Sequence, residues 1–348
     1  MVLKELSELN GTSGHEEKVR KFLKDNLEKL VDEVIVDSIG NLILLKKGVS
    51  NSKRIMFAAH MDEVALMVTK IEKNGFIKFA TVGGIEPSVL PAQTVVIESS
   101  ENIFGVIGVR PIHVQRSEEF DTPIKKENLY IDISANSSDE LAGKIELGDP
   151  IYFNTKYGEF GKLVKGKAFD DRVGCAVLYE LISKNFVPDY DTYFVFTTQE
   201  EVGIRGSRIS AFRIEPDLAF VFEGTSAGDI PLLERNRWST QINKGPVITY
   251  MQQGLVIQKK VISFIESVAK ENNIPYQFRE KTSGATDATS IARSGVGVPT
   301  GVISIPTRYI HSPVSVLSLN DFENTVLLSE AILSKIKSYF EINIQGDS

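Results

Sequence analysis

Strand-like apolar runs alternate with amphipathic helical segments in two separate parts of this chain, and a long β-rich stretch lies between them. The alternation covers residues 1–67 and resumes after residue 162. Between them, short β-rich runs are separated by Gly, Pro and Asn clusters, and no long helical pattern is present. The sequence therefore predicts an α/β fold, with a mostly parallel sheet in a discontinuous domain, 1–67 and 163–348, and an inserted all-β domain, 68–162.

The individual elements follow from hydrophobic periodicity. The segment 15–30 has its apolar residues on one helical face, and Ile39-Gly40-Asn41 indicates a hairpin turn before the run 42–45. Further helices are predicted over 172–185, 255–272 and 321–340. Further strands are predicted over 54–59, 193–197, 218–222 and 301–305, and the β-rich stretch contributes runs at 94–98, 105–109, 130–133 and 150–153.

Charge and cysteine content exclude several classes of protein. The net charge is −7, and an acidic chain without a basic stripe argues against nucleic acid as a partner. Cys175 is the only cysteine, so neither an intrachain disulfide nor a cysteine-based zinc site is available. No apolar run reaches the ~18 residues of a membrane span, and the N-terminus lacks the apolar segment of a signal peptide. We therefore expect a cytoplasmic protein without a membrane partner.

His, Asp or Glu residues directly follow an apolar strand-like run, or begin a helix, at five places. These are His60-Met61-Asp62, Asp170-Asp171, Glu200-Glu201, Glu223 and His311. Ligands gather at the carboxyl ends of strands in open α/β sheets, so these side chains could converge. Imidazoles and carboxylates suit zinc, cobalt or manganese, and a carboxylate can bridge two ions. The sequence therefore predicts a metal centre.

Each of these places has a simpler explanation when taken alone. A strand-end His is more often a satisfied polar residue, and Glu200-Glu201 could be a solvated loop pair. Asp170-Asp171 would also suit a helix N-terminus, where the macrodipole favours negative charge. The chain has only four His, however, and two of them fall in the pattern. The pattern as a whole therefore favours the metal centre.

Six longer motifs contain these positions and follow one another along nearly the whole chain. They are 58–63 (AAHMDE), 169–174 (FDDRVG), 197–206 (TTQEEVGIRG), 227–229 (AGD), 284–288 (GATDA) and 308–313 (RYIHSP). Together they resemble the motifs of the glutamyl aminopeptidase family, the tetrahedral, self-compartmentalising aminopeptidases, some of whose members were long labelled endoglucanases. The stretch 108–119 also resembles the inserted β domain of that family.

The resemblance implies a catalytic domain of zinc-peptidase type with two divalent metal ions per subunit, Zn²⁺ or Co²⁺. His60, Asp170 and Glu223 would hold one ion. Asp170, Glu201 and His311 would hold the other, so that Asp170 would bridge the two. The family usually has Asp where this chain has Glu223, so the extra methylene would have to be absorbed by a different rotamer or a backbone shift.

The resemblance also implies an aminopeptidase acting on short peptides. Glu200 would be the general acid/base, and Asp62 would orient His60, which the His-x-Asp spacing also suggests. Glu200 and Glu201 follow a predicted strand, and adjacent residues in extended backbone point in opposite directions. We therefore assign Glu201 to the metal and Glu200 to the proton.

In the family, the inserted β domain pairs subunits. The resemblance therefore implies a homo-oligomer built from dimers, with a tetrahedral dodecamer as the expected assembly. Such a shell admits short peptides and excludes folded proteins.

Three alternative functions use parts of the same residue set. A dinuclear-metal amidase or deacylase acting on N-acyl amino acids would have the same site but would prefer a blocked amine. A glycoside hydrolase would use two carboxyl groups without metal, which leaves the two strand-end His without a role. A catalytically silent binding scaffold would have little use for Glu200. The sequence leaves the preferred N-terminal residue of the substrate open, since the family includes glutamyl-, leucyl- and lysyl-preferring members.

Overall fold

The structure is a computed structural model and describes residues 1–114 and 122–341. Residues 115–119 of the stretch that resembles the family's β domain lie outside this range. The helices in the described part are α1 (Val2–Glu8), α2 (Glu17–Leu27), α3 (Phe169–Ser183), α4 (Gly206–Ile214), α5 (Lys259–Glu271), α6 (Asp287–Ile291) and α7 (Leu319–Glu341).

The strands fall into a large sheet, a barrel and a small hairpin. The first ten are β1 (Glu33–Val36), β2 (Leu42–Lys46), β3 (Ser50–His60), β4 (Ala65–Ile71), β5 (Ile77–Val82), β6 (Thr94–Glu98), β7 (Asn102–Gly108), β8 (Tyr130–Asp132), β9 (Pro150–Phe153) and β10 (Gly158–Phe160). The others are β11 (Leu163–Gly166), β12 (Tyr190–Thr197), β13 (Leu218–Ser226), β14 (Val247–Ile248), β15 (Met251–Gln252), β16 (Leu255–Val256), β17 (Gln277–Phe278), β18 (Thr300–Arg308) and β19 (Ser315–Ser318).

The large sheet has a parallel centre with antiparallel strands on both sides. Its order is β1-β2-β12-β3-β13-β18-β19-β11-β10, and β14 and β17 extend it beside β18. The four strands β12, β3, β13 and β18 run parallel to one another. Their apolar runs are buried almost continuously, as expected for strands covered on both faces. The predicted α/β class is confirmed, and the parallel strands are those that carry the candidate site.

Strands β4, β5, β8, β7, β6 and β9 close into a separate β-barrel. The barrel has its own hydrophobic core, distinct from that of the large sheet, with Leu66, Ile77, Val95, Ile131 and Ile151 completely buried. A closed barrel of this kind is compatible with the predicted inserted β domain. The barrel strands begin at residue 65 and end at residue 153, whereas β10 and β11 pair within the large sheet.

The helices that follow the parallel strands pack in two groups. Helix α3 contacts β13, β3 and α7, while α4 and α6 contact each other and the central strands. In residues 1–114 and 122–341, we find no helix with the length and apolar character needed to cross a membrane.

Candidate metal centre

The parallel register brings the predicted ligands to one edge of the sheet. His60 is the last residue of β3, and Glu223 lies in the carboxyl-terminal half of β13. Glu201 follows β12, and His311 follows β18. Because neighbouring parallel strands end at the same edge, residues far apart in the sequence meet there. Asp170 reaches this edge from the start of α3, where its backbone is not helical.

Asp170 lies between the two imidazoles. Its Oδ1 is 3.4 Å from His60 Nε2, and its Oδ2 is 3.2 Å from His311 Nε2. On the outer sides, Glu223 Oε2 is 3.6 Å from His60 Nε2, and Glu201 Oε1 is 3.6 Å from His311 Nε2. The five residues therefore form a continuous row of possible metal-ligand atoms. The Asp170 carboxylate lies in the middle and faces each imidazole with a different oxygen.

Backbone carbonyls hold both imidazoles in matching orientations. His60 Nδ1 is 3.0 Å from the carbonyl oxygen of Asp62, and His311 Nδ1 is 2.9 Å from that of Gly84. A ring nitrogen that faces a carbonyl must carry the proton, so in the neutral form of both rings Nε2 would be the atom free to bind a metal. His60 is almost fully buried, whereas the His311 side chain is 39% exposed.

Asp62 acts mainly on the turn that carries the two glutamates. Its Oδ1 accepts a hydrogen bond from the backbone N–H of Glu200, and its Oδ2 accepts one from that of Glu201, both at 3.1 Å. Ser13 Oγ donates to the same carboxylate at 2.5 Å. The Asp62 carboxylate is 3.5 Å from His60 Nδ1, whereas the backbone carbonyl oxygen of Asp62 is 3.0 Å from the same atom. The backbone carbonyl is therefore the nearer partner of the His60 ring.

The backbone around the two glutamates is not extended. Strand β12 ends at Thr197, and Gln199 adopts a left-handed conformation with φ of 55°. The carbonyl of Glu200 then accepts hydrogen bonds from the N–H groups of Gly203 and Ile204, as in a tight turn. The expectation of extended backbone is therefore wrong, because Asp62 and the turn set the two side-chain directions. The division of roles between Glu200 and Glu201 stays a prediction.

Asp171 is a buried site residue whose role the sequence did not distinguish from that of its neighbour. Its Oδ2 accepts a hydrogen bond from the His60 backbone N–H at 3.2 Å, and its Oδ1 accepts one from Gly174 N–H at 2.9 Å. Ligand atoms of His60, Asp171 and Glu223 lie within 4.8 Å of one another, as do those of Asp170, Glu201 and His311. Asp171 thus supports the end of β3 and could also contribute an oxygen to the His60 half of the centre.

The acids of the centre are crowded together in a buried site, where the guanidinium of Arg279 is one positive charge that acts on Glu223 and Asp170. Burial raises the pKa of Glu223 well above its ordinary value, and burial raises the pKa of Glu201 to about 7. Burial likewise raises the pKa of Glu200, and the neighbouring Asp287, Glu201 and Asp170 carboxylates add to the effect. Such crowding of buried carboxylates is costly unless a cation offsets it.

Two oxygens of the centre also lack a partner. Among the described residues, Oε1 of Glu201 and Oε1 of Glu223 are buried without any hydrogen-bond partner. Buried polar atoms are normally satisfied, and two orphaned carboxylate oxygens in one cluster call for an unseen partner. Together with Nε2 of His60 and of His311, they form a set of ligand atoms that suits divalent zinc, cobalt or manganese.

The α/β sheet carries clustered His, Asp and Glu at the carboxyl ends of its parallel strands, a candidate metal site of the kind that metal-dependent hydrolases use. A family model described as M42 glutamyl aminopeptidase matches residues 40–328. The lysyl aminopeptidase of Pyrococcus furiosus is 32% identical over 346 residues, which cover 97% of each chain.

Solved structures of aminopeptidases have the same fold. Aminopeptidase APDkam598 of the archaeon Desulfurococcus kamchatkensis matches with a TM-score of 0.92 at 36% identity, covering 99% of this chain and 98% of that one. The TET1 peptidase of Pyrococcus horikoshii, which can assemble into a tetrahedron or a large octahedral shell, matches with a TM-score of 0.83 at 33% identity, covering 95% and 98%. The chain belongs to the M42 glutamyl aminopeptidase family. The predicted family and the predicted peptidase activity are confirmed.

Proposed function

We propose that this chain is a metal-dependent aminopeptidase that removes N-terminal residues from short peptides at a dinuclear centre. The observation that carries the proposal is the position of Asp170, whose two oxygens face two different imidazole Nε2 atoms at 3.4 and 3.2 Å. A single carboxylate placed between two ligand sets is the arrangement that a bridging ligand requires.

The residues divide into two ligand sets. His60, Asp170 and Glu223 would hold one ion, and Asp170, Glu201 and His311 would hold the other, with Zn²⁺ or Co²⁺ as the preferred metals. Glu223 Oε2 lies 3.6 Å from His60 Nε2, a distance that a bound ion could span, so the longer side chain in place of the family's usual Asp is compatible with this role.

The chemistry then depends on placing and removing one proton. Divalent cations in these sites would supply Lewis-acid chemistry, polarising the scissile carbonyl and increasing the acidity of water. Glu200 would accept the proton of the attacking water and deliver it to the leaving nitrogen. Asp62 would hold the Glu200 carboxylate in place through the backbone N–H of that residue, at 3.1 Å. Burial raises the pKa of Glu200, so its carboxylate would be a stronger base toward the attacking water.

The fold and the relatives support an assembly of subunits. The TET1 peptidase forms closed shells, and we propose that this chain also forms a homo-oligomer built from dimers, with a dodecamer as the expected state and the cytoplasm as its compartment. Light scattering at micromolar concentration tests this proposal, and a monomer alone would contradict it. A dimer alone would keep the pairing role of the barrel and remove the compartment.

Removal of metal is the first experiment. Exhaustive dialysis against a chelator should abolish hydrolysis of aminoacyl chromogenic substrates, and Zn²⁺ or Co²⁺ should restore it. Full activity in a preparation shown by elemental analysis to be metal-free would exclude the proposed chemistry. Chelator-resistant cleavage of a glycoside by the same preparation would instead favour a glycoside hydrolase, for which two carboxyl groups suffice.

Substrates with free and blocked amines separate the aminopeptidase from the amidase alternative. We expect cleavage of peptides with a free N-terminus and little cleavage of their N-acetylated forms. Equal cleavage of both would mean that the amine is not recognised. Preference for N-acyl amino acids would identify a deacylase.

A further inference from the structure

The two halves of the centre are supported by different parts of the molecule. In the His60 half, the carbonyl that orients the ring belongs to Asp62, two residues further along the same segment. In the His311 half, the orienting carbonyl belongs to Gly84, directly after the barrel strand β5. The barrel therefore supplies a contact to one half that the catalytic sheet does not provide.

Gly83, directly after β5, also lies against Glu201, the other proposed ligand of the His311 half. A Cβ atom added at Gly83 would lie 3.1 Å from Glu201 Oε2, 3.3 Å from Glu201 Cβ and 2.8 Å from Val64 Cγ1. Gly83 has a φ of +79°, a conformation that side-chain-bearing residues rarely adopt. A Cβ at Gly84 would meet only His311 Nδ1, at 3.5 Å, which is an ordinary contact distance.

The ladder between β4 and β5 fixes this position. Ala65 pairs with Val82 at the base of the hairpin, so Gly83 lies beside Val64, which follows the segment carrying His60 and Asp62. The β4-β5 hairpin thus begins next to the His60 half of the centre, and the segment that follows it contacts the His311 half.

We propose that Gly83-Gly84, the segment directly after β5, is a positioning element for the Glu201 and His311 half of the centre, and that Gly83 must be glycine for this half to bind metal tightly. The proposal rests on the dinuclear centre proposed above. Outer contacts that orient metal ligands typically change affinity by about 10–100-fold, so we expect an effect of this size on one of two binding sites.

The experiment is a Zn²⁺ binding isotherm, measured by equilibrium dialysis and elemental analysis on chelator-treated full-length protein. Wild type should bind two ions. Gly83→Ala should keep one site and weaken the other about 10–100-fold. Gly148→Ala is the matched control, since Gly148 lies in the same β-rich region with φ of +93° and its added Cβ would have nothing within 4 Å. This variant should bind two ions as wild type does.

A double variant separates ligand placement from steric strain and covers the case in which Gly83→Ala does not fold. Val64→Ala removes the shortest clash of the new Cβ, while the contact with Glu201 remains. Val64→Ala/Gly83→Ala should therefore fold, with a thermal midpoint close to that of a Val64→Ala/Gly148→Ala variant, and should still have one weakened site.

Three results would overturn the proposal: unchanged affinity at both sites in Gly83→Ala, full recovery of both sites in the double variant, or equal weakening in Gly148→Ala. If wild type itself binds fewer than two ions, the dinuclear centre fails first, which is a distinguishable outcome.

Discussion

Arg172 provides the most demanding test of how the fold supports the site. Its guanidinium is completely buried in α3 and donates to four backbone carbonyls. Nε donates to Met61 O at 2.6 Å, Nη1 to Leu6 O at 2.7 Å and Leu9 O at 2.9 Å, and Nη2 to Gly11 O at 3.0 Å. One side chain therefore ties the N-terminal segment to the residue that follows His60.

Replacing Arg172 with Met keeps an apolar stem of similar length and removes all donors. Lys167 also donates to Leu9 O, at 3.1 Å, and to the Glu63 carboxylate, at 2.5 Å. The Leu9 carbonyl and the Glu63 carboxylate therefore keep a partner in the Arg172→Met variant. The Gly11 carbonyl keeps the backbone N–H of Glu63 at 3.0 Å, so the carbonyls of Leu6 and Met61 are the ones that lose the Arg172 donor. An unsatisfied buried acceptor costs about 1–3 kcal/mol, and partial relaxation leads us to expect a loss of about 3–5 kcal/mol in the free energy of unfolding.

The assay is urea-induced unfolding of chelator-treated protein, followed by circular dichroism, for Arg172→Met, Arg172→Lys and Arg293→Met. Arg293 is exposed and donates to a single carbonyl, that of Gly254, so its loss should change the free energy of unfolding by only about 0.5 kcal/mol. Arg172→Lys, with fewer donors, should fall between the two. A loss below about 1 kcal/mol for Arg172→Met would refute the assignment of this side chain as the link between the segments.

Two further predictions concern Asp321 and Ser13. Burial raises the pKa of Asp321 to about 6, although hydrogen bonds from the N–H groups of Gly245 and Asn243 lower it in part. The folded state therefore holds this proton more tightly than the unfolded state does. The stabilisation is present below about pH 4 and is lost as the pH rises through about 6. Urea titrations should therefore show wild type losing about 3 kcal/mol relative to Asp321→Asn between about pH 4 and 7, and parallel curves would contradict this. Ser13→Ala removes a donor to Oδ2 of Asp62, the oxygen that also accepts from the N–H of the proposed ligand Glu201; we expect the affinity for Zn²⁺ to fall about tenfold, and unchanged affinity would contradict this support of the ligand.

Much of the fold follows from periodicity. The predicted strands 54–59, 193–197, 218–222 and 301–305 lie inside β3, β12, β13 and β18, and the predicted runs 94–98 and 150–153 coincide with β6 and β9. The four segments of the large sheet carry strong apolar patterns because the sheet is covered on both faces. The positions of His60 and Glu223 at the site edge follow from the same patterns, since the carboxyl ends of parallel strands meet.

Other features of the site depend on contacts that no spacing reveals. Asp171 is chemically identical to Asp170, and only the fold directs its oxygens to the backbone N–H groups of His60 and Gly174. Gly84 lies 227 positions before His311 and acts through a backbone carbonyl, so its residue type carries no signal. The turn at Glu200 likewise arises from the left-handed Gln199 and from Asp62, which is distant in sequence.

The most direct test of the proposed site is to measure metal content and kcat for Glu200→Gln and Glu201→Gln, with and without added Zn²⁺. Gln keeps the size of the side chain but cannot accept the proton, so Glu200→Gln should retain its metal while kcat falls about 10²–10⁴-fold. Glu201→Gln exchanges an anionic ligand for a weaker neutral one, so it should lose metal, and excess Zn²⁺ should partly restore activity. Metal loss in Glu200→Gln with retention in Glu201→Gln would reverse the two roles, and no change in either variant would contradict the dinuclear centre itself.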